Sequence, residues 1–331
     1  MNERYPDIGI RSKNELAKRI ISKSLSYEEA LELINDVLEH YDKYWKDNLK
    51  MSQPKKNKWV RSAYGTKLGK LLKLINTRVL NPYDSMLPDF IFGSVSGKNH
   101  KAAVLHLLGS KQKRMLLALD LKRFFEQNQY DRVRSLFAQK CGCHGKGATT
   151  LADLCCVPIG AKDAPGNCKT IARGFSPSPR LAVWCNLDAF IRIDRVARKV
   201  LKDKDYRIAI YVDDIGITAS KVTVQDMIKL HKEIDKVLKT GDKNQPLLLN
   251  DDKSRIVNHD GSTYDMSGNL IGKWAFEHLG IVMGRKSLAV GSKTRLKYYA
   301  LKQQVEKSNN KSKLKRSRKA LKRYKHYIES K

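Results

Sequence analysis

One twelve-residue stretch, 206–217, constrains this chain more than any other: Tyr-Arg-Ile-Ala-Ile-Tyr-Val-Asp-Asp-Ile-Gly-Ile. Two β-rich apolar runs flank Asp213 and Asp214, which predicts a hairpin with an acidic tip. A second apolar run, 115–121, reads as a buried strand interrupted near its end by Asp120. A carboxylate at the end of a buried strand is costly unless it is paired or bound to a metal. Three converging carboxylates repel one another unless divalent cations lie between them. Such a set suits two Mg²⁺ ions about 3.5–4 Å apart, one activating an attacking hydroxyl and the other stabilising a leaving pyrophosphate. Taken alone, Asp213 and Asp214 are also compatible with a plain solvated turn, because Asp is a good turn former.

Charge narrows the partners. With 65 Lys and Arg against 34 Asp and Glu, the 331-residue chain carries a formal +31. That excess costs self-repulsion unless a polyanion neutralises it, and nucleic acid is the first candidate because each neutralised phosphate releases counterions. An anionic membrane surface is the weaker alternative, since no basic amphipathic helix with a large aromatic or Leu face stands out. No run of 18 apolar residues exists and the N-terminus lacks an apolar leader, so a cytoplasmic location with no membrane partner is expected. The six cysteines are then expected as reduced thiols. Cys141, Cys143, His144, Cys155, Cys156 and Cys168 have metal-ligand chemistry, but their spacing matches no paired zinc pattern, so zinc is the minor reading.

Periodicity organises the rest. Helices are expected over 15–24 and 27–45, the second capped by Ser26, then a polar linker at 51–58 and a basic helical stretch over 59–80. Further helices are expected over 180–201, beginning after Pro179, and over 224–238, with a turn at Ser267-Gly268-Asn269 and strands within 274–290. Strand, helix, paired strands, helix, strand is the order of an α+β core. The last 39 residues carry 15 Lys and Arg against two Glu, with apolar residues at helical spacing, and so read as basic helices.

Several ordered motifs resemble bacterial retron-type reverse transcriptases. Tyr211-Val212-Asp213-Asp214 resembles their YxDD signature, and Asp120-Leu-Lys-Arg-Phe-Phe125 resembles the preceding palm motif. Arg173-Gly174-Phe-Ser-Pro-Ser-Pro179 looks like their QGxPTSP element, and Leu249-Asn250-Asp-Asp-Lys253-Ser-Arg255 looks like LNxxKT. His278-Leu-Gly280, the segment from Lys286 to Arg295 and a terminal helix from Arg318 to Ile328 resemble the primer grip and thumb. Together these span roughly residues 58–331. The resemblance implies a right-hand polymerase: an N-terminal helical segment over 1–55, fingers over 56–110, a palm with a finger-side insertion over 111–288, and a short basic helical thumb over 289–331.

It also implies roles. Asp120, Asp213 and Asp214 would bind two Mg²⁺ with the Leu121 carbonyl as an extra oxygen, and Lys253 would protonate or neutralise the pyrophosphate. Phe125 stands at the steric-gate position that favours dNTP substrates over NTP, beside Arg173 and Gly174. Lys58 and Arg61 are the expected triphosphate clamps. Gly280, Lys293, Arg295, Lys315, Arg316, Arg318, Lys322 and Arg323 would grip nucleic acid. Solvated lysines and ordinary core packing are the plain alternatives for Lys253 and Phe125. The implied partners are a dedicated non-coding RNA template and its DNA product, with room for an effector protein or an oligomer, in defence against phage. Departures temper the match: Arg173 and Phe175 stand where Gln and Ala are usual, Pro177 is displaced, and His278-Leu279-Gly280 replaces VTG. A related defence reverse transcriptase fits as well as a retron, and a catalytically silent RNA-binding scaffold is the alternative function.

Overall fold

The computed structural model describes residues 4–109, 113–242, 246–284, 287–307 and 311–329. It mixes α and β elements in two compact units that interleave along the chain. The first comprises Met1–Gly97, Arg123–Ala189 and Asp242–Leu247; the second comprises Lys98–Lys122, Phe190–Gly241 and Leu248–Lys331. Among the described residues no helix is long and apolar enough to cross a membrane.

The first unit is mainly helical. Its helix Lys13–Ile20 starts from a Ser12 cap and buries Leu16, Ala17 and Ile20. Helix Tyr27–Glu39 opens on a reciprocal capping box: the Glu29 amide donates to Ser26 Oγ at 3.2 Å, and the Ser26 amide donates to Glu29 Oε2 at 2.7 Å. It ends at Glu39, short of the expected boundary at 45, because the chain tightens into a 3₁₀ turn over Tyr41–Tyr44. Tyr5, Ile8, Ile10, Ala30, Ile34 and Val37 are all buried, so the N-terminal segment forms part of this unit's own core.

Two sequence expectations need correction here. The stretch 59–80 is not one helix: Arg61–Ser62 pairs as a short strand with Lys46–Asp47, and the helix Lys67–Leu74 begins only at its Thr66 cap. Nor is 180–201 continuous. Helix Ser178–Cys185 starts earlier, with Pro179 in the first turn where its missing N–H is not needed, and a second helix covers Leu187–Val200. Between them Asn186 is buried and turns its amide back, donating to the Ala182 carbonyl at 2.8 Å and to Asn128 Oδ1 at 2.7 Å. A hairpin of Cys156–Ala161 with Ala164–Ile171 has no counterpart among the sequence expectations; its second strand is mostly exposed and carries no apolar alternation to mark it.

The second unit is built on a six-stranded antiparallel sheet. Its strands run in the spatial order Leu270–Lys273, Ser262–Tyr264, Arg255–Asn258, Arg114–Asp120, Asp214–Ser220 and Tyr206–Tyr211. Strand Arg114–Asp120 is central and almost wholly buried, as its uninterrupted apolar run requires. The Ser267-Gly268-Asn269 turn forms as expected, tied by Asp265, which accepts from the Ser267 and Asn269 amides at 2.9 and 2.8 Å. Within 274–290 lies a separate sheet of Glu277–His278, Ile281–Met283 and Leu288–Val290. Helices Ser292–Lys307 and Lys311–Glu329 complete the unit. The second is anchored by its end: Ile328 is buried, Tyr324 stacks on His100 with centroids 6.0 Å apart, and Lys101 Nζ donates to the Tyr327 carbonyl at 2.8 Å.

Candidate active site

Strand register brings the acidic residues to one end of the second unit's sheet. Asp120, the last residue of its strand, lies directly opposite Asp214, the first residue of the neighbouring strand. Tyr211 also pairs with Asp214, so the hairpin closes through only two residues, Val212 and Asp213. Val212 has φ +63°, in the left-handed region that a β-branched side chain seldom adopts. Such a residue costs about 1–3 kcal/mol and persists only where its surroundings hold it. Two features do so: Val212 is buried, and the Leu121 amide donates to the Asp213 carbonyl at 3.1 Å.

The Asp120 carboxylate is fully engaged. Lys253 Nζ lies 3.2 and 3.1 Å from its two oxygens, and Asn250 Nδ2 donates to Oδ2 at 2.9 Å. The Asn250 amide donates to the Asp120 carbonyl at 2.8 Å, so the loop 249–255 is laced to the strand end by backbone as well. His231 Nε2, 3.1 Å from Asp251 Oδ1, ties the same loop to helix Val224–Thr240. In the sequence Asn250 is only one letter of a motif; its grip on Asp120 is invisible without the fold.

The donors fit Mg²⁺ in kind, since three carboxylates and a backbone carbonyl are the hard oxygens that ion takes. Among the described residues, however, no group of three or more His, Cys, Asp or Glu side chains is gathered closely enough to hold a metal. Around Asp120 the counter-charge is the Lys253 ammonium. Among the described residues the cysteines form no such group either; burial pushes the Cys143 thiol up to about 11 and those of Cys155 and Cys185 to about 12.

The expected nucleotide-contacting residues, apart from Leu121, belong to the first unit. Arg61 is buried and spends its guanidinium on Asp47 and on the Pro158 and Gly160 carbonyls, with the Trp45 ring 5.1 Å away. Lys58 is half-buried in a backbone bridge to Gln53. Phe125 is buried, and Arg173 lies over its ring while reaching both oxygens of Glu126. Gly174 has φ +103°, and a Cβ there would overlap the Arg61 carbonyl oxygen. Gly174→Ala is therefore expected to lower stability by about 2 kcal/mol, from backbone strain and the clash together, read as a lower urea midpoint.

Gly280 occupies the turn between Glu277–His278 and Ile281–Met283. Arg295, Lys315, Arg316, Arg318, Lys322 and Arg323 are exposed on the two terminal helices. Lys286 and the Lys293 side chain lie outside the described residues.

No family model matches the chain, and no curated protein matches it. Among solved structures, a telomerase from Candida albicans, in complex with a fragment of telomeric RNA, is similar with a TM-score of 0.41 and 12% identity. The match covers 68% of this chain and 38% of the telomerase chain, a likeness too slight to bear on activity.

Proposed function

We propose that this chain is an RNA-directed DNA polymerase of right-hand architecture, with fingers, a palm and a short basic thumb. The observation that carries the reading is the register of the central sheet, which sets Asp120 opposite Asp214 with Asp213 in the two-residue turn beside them. Antiparallel pairing that puts three aspartates at one end of the sheet suits nucleotidyl transfer better than a purely structural turn, because divalent cations bound there would offset the repulsion of like charges.

Bound at these oxygens, two Mg²⁺ would lower the pKa of a primer hydroxyl and stabilise the departing pyrophosphate. The chain's own residues supply the rest. Asn250 fixes the orientation of the Asp120 carboxylate, and Lys253 neutralises it until that carboxylate is needed elsewhere. Released from Asp120, the same ammonium is available to neutralise or protonate the pyrophosphate. In the first unit, Phe125, with Arg173 over its ring and Gly174 next to that arginine in the motif, acts as the wall beneath the sugar, and Lys58 supplies positive charge for a dNTP. Arg61 supports that region through Asp47 rather than through a free guanidinium. The exposed lysines and arginines of the terminal helices hold the template–product duplex through its phosphates.

Resemblance to retron-type enzymes supports a dedicated structured RNA as template and a role in defence against phage. A second reading, a catalytically silent RNA-binding scaffold, draws on the Lys253 contact, since a carboxylate held by an internal lysine can be purely structural.

Sequencing the RNA and DNA that co-purify with the chain separates the two readings. One dominant RNA with complementary DNA is expected from the wild type, and the same RNA without DNA from the double variant Asp213→Ala, Asp214→Ala. RNA without DNA in both preparations would favour the scaffold. Heterogeneous nucleic acid released by salt would remove both in favour of nonspecific binding.

A further inference from the structure

Three side chains of the first unit form a stack. Phe125 is 8% exposed, and Phe124, itself fully buried, meets its ring edge-on with centroids 6.0 Å apart. The Phe124 carbonyl accepts from Asn128 Nδ2 at 2.6 Å, which fixes the chain on that side. Above the Phe125 ring, the Arg173 guanidinium carbon sits 4.6 Å from the centroid. That guanidinium is itself held: Nε donates to Glu126 Oε1 at 3.3 Å and Nη2 donates to Oε2 at 3.1 Å. A fork of this kind fixes the plane of the guanidinium as well as its position. Both members of the pair are largely shielded, with side-chain exposures of 16% and 14%.

We infer that Glu126 is a positioning residue for sugar selection, holding Arg173 over Phe125 and so fixing the ring that rejects a ribose hydroxyl. This rests on the polymerase reading, in which Phe125 lies beneath the sugar of the incoming nucleotide. An apolar wall rejects a substrate with one added hydroxyl by only about 10²-fold. Displacements of about 1 Å are worth as much as that, so a wall free to yield by an ångström loses most of its selectivity. Phe125 has only two side-chain torsions, and its face and edge are restrained by Arg173 and Phe124. Removing the Glu126 charge leaves a largely shielded cation without its partner. Arg173 then turns toward water, and the ring loses the group that caps it.

The test is single-nucleotide extension by the full chain of a DNA primer on an RNA template with Mg²⁺, comparing dGTP with GTP. Glu126→Gln keeps the side chain's size and is expected to lower the deoxy-over-ribo ratio of kcat/KM by about 10-fold. Phe125→Ala is expected to lower it further, and adding Glu126→Gln to Phe125→Ala to change nothing more, because both act through one ring. Thermal melting establishes that the variant is folded. If Glu126→Gln is not folded, Arg173→Met takes its place with the same expected loss. An unchanged ratio in a folded variant overturns the inference, as does an equal further loss in the Phe125→Ala background. A wild type that incorporates neither nucleotide overturns the polymerase reading and this inference with it, an outcome distinct from the other two.

Discussion

Replacing Arg180 with Met is expected to destabilise the first unit by about 3–5 kcal/mol, because it strands a buried carboxylate. Arg180 and Asp84 are both nearly inaccessible, at 8% and 7% exposure. Arg180 Nε donates to Asp84 Oδ1 at 2.8 Å and Nη2 to Oδ2 at 3.0 Å, while Nη2 also reaches Asn81 Oδ1 at 3.1 Å and Nη1 reaches Asn76 Oδ1. On its other side Asp84 accepts the Ser96 amide at 2.7 Å. The arginine thus ties helix Ser178–Cys185 to the turns that follow helix Lys67–Leu74. Asp84→Leu alone should cost a similar amount, since it leaves the guanidinium unpaired. The double variant Arg180→Met, Asp84→Leu should cost clearly less than the sum of the two, as replacing both charges removes the uncompensated one. The Ser96 amide would still lack its acceptor, so the double variant should not be fully restored. Urea unfolding of all four proteins reads these differences; additive losses would mean that the pair contributes little through its charges.

The second large effect concerns pH. Burial holds the His278 imidazole down, from its ordinary 6.5 to about 4, and burial is the only cause. Among the described residues its Nε2 has no hydrogen-bond partner, and it faces Gly216, where a Cβ would stand 2.8 Å away. The unfolded chain binds a proton at this ring below pH 6.5, whereas the folded protein does so only near pH 4. Stability contributed by the neutral ring is therefore complete above pH 6.5 and is lost as pH falls toward 4, by about 3 kcal/mol in all. Burial depresses His100 in the same direction, so it adds to the slope rather than opposing it. The depressed carboxylates Asp36, Asp226, Asp260 and Asp265 act below their ordinary 3.8, outside this window. His278→Met, which cannot titrate, is expected to flatten most of the fall in urea midpoint between about pH 7 and 4.5. An equally steep fall in that variant would assign the effect to other groups.

The capping box at Ser26, the central strand and the acidic hairpin are legible in the chain because each is a local pattern. A cap needs only residues three apart, and a buried strand announces itself as an unbroken apolar run that ends where its charge begins. For the same reason Asp120, Asp213 and Asp214 stand out in the bare sequence. The hairpin Cys156–Ala161 with Ala164–Ile171 does not, because its exposed strand has no apolar alternation to read. The break at Asn186 is equally hidden, since a partner 58 positions away holds that side chain.

Partnerships between distant residues are decided by the fold alone. Lys253 can be singled out as a useful cation, but only the sheet register and the loop 249–255 bring it onto Asp120. Arg61 reads as a phosphate ligand until its burial shows the donors committed to Asp47 and two carbonyls. In the sequence Arg173 is a departure from a motif, yet the structure stacks it on Phe125 and pairs it with Glu126. Local patterns in the amino-acid sequence mark the capped helix, the central strand and the acidic hairpin, and show where charge interrupts them, because those preferences act between near neighbours. Which charges neutralise which was left to tertiary structure, because a long side chain takes whichever buried partner the packed backbone brings within reach.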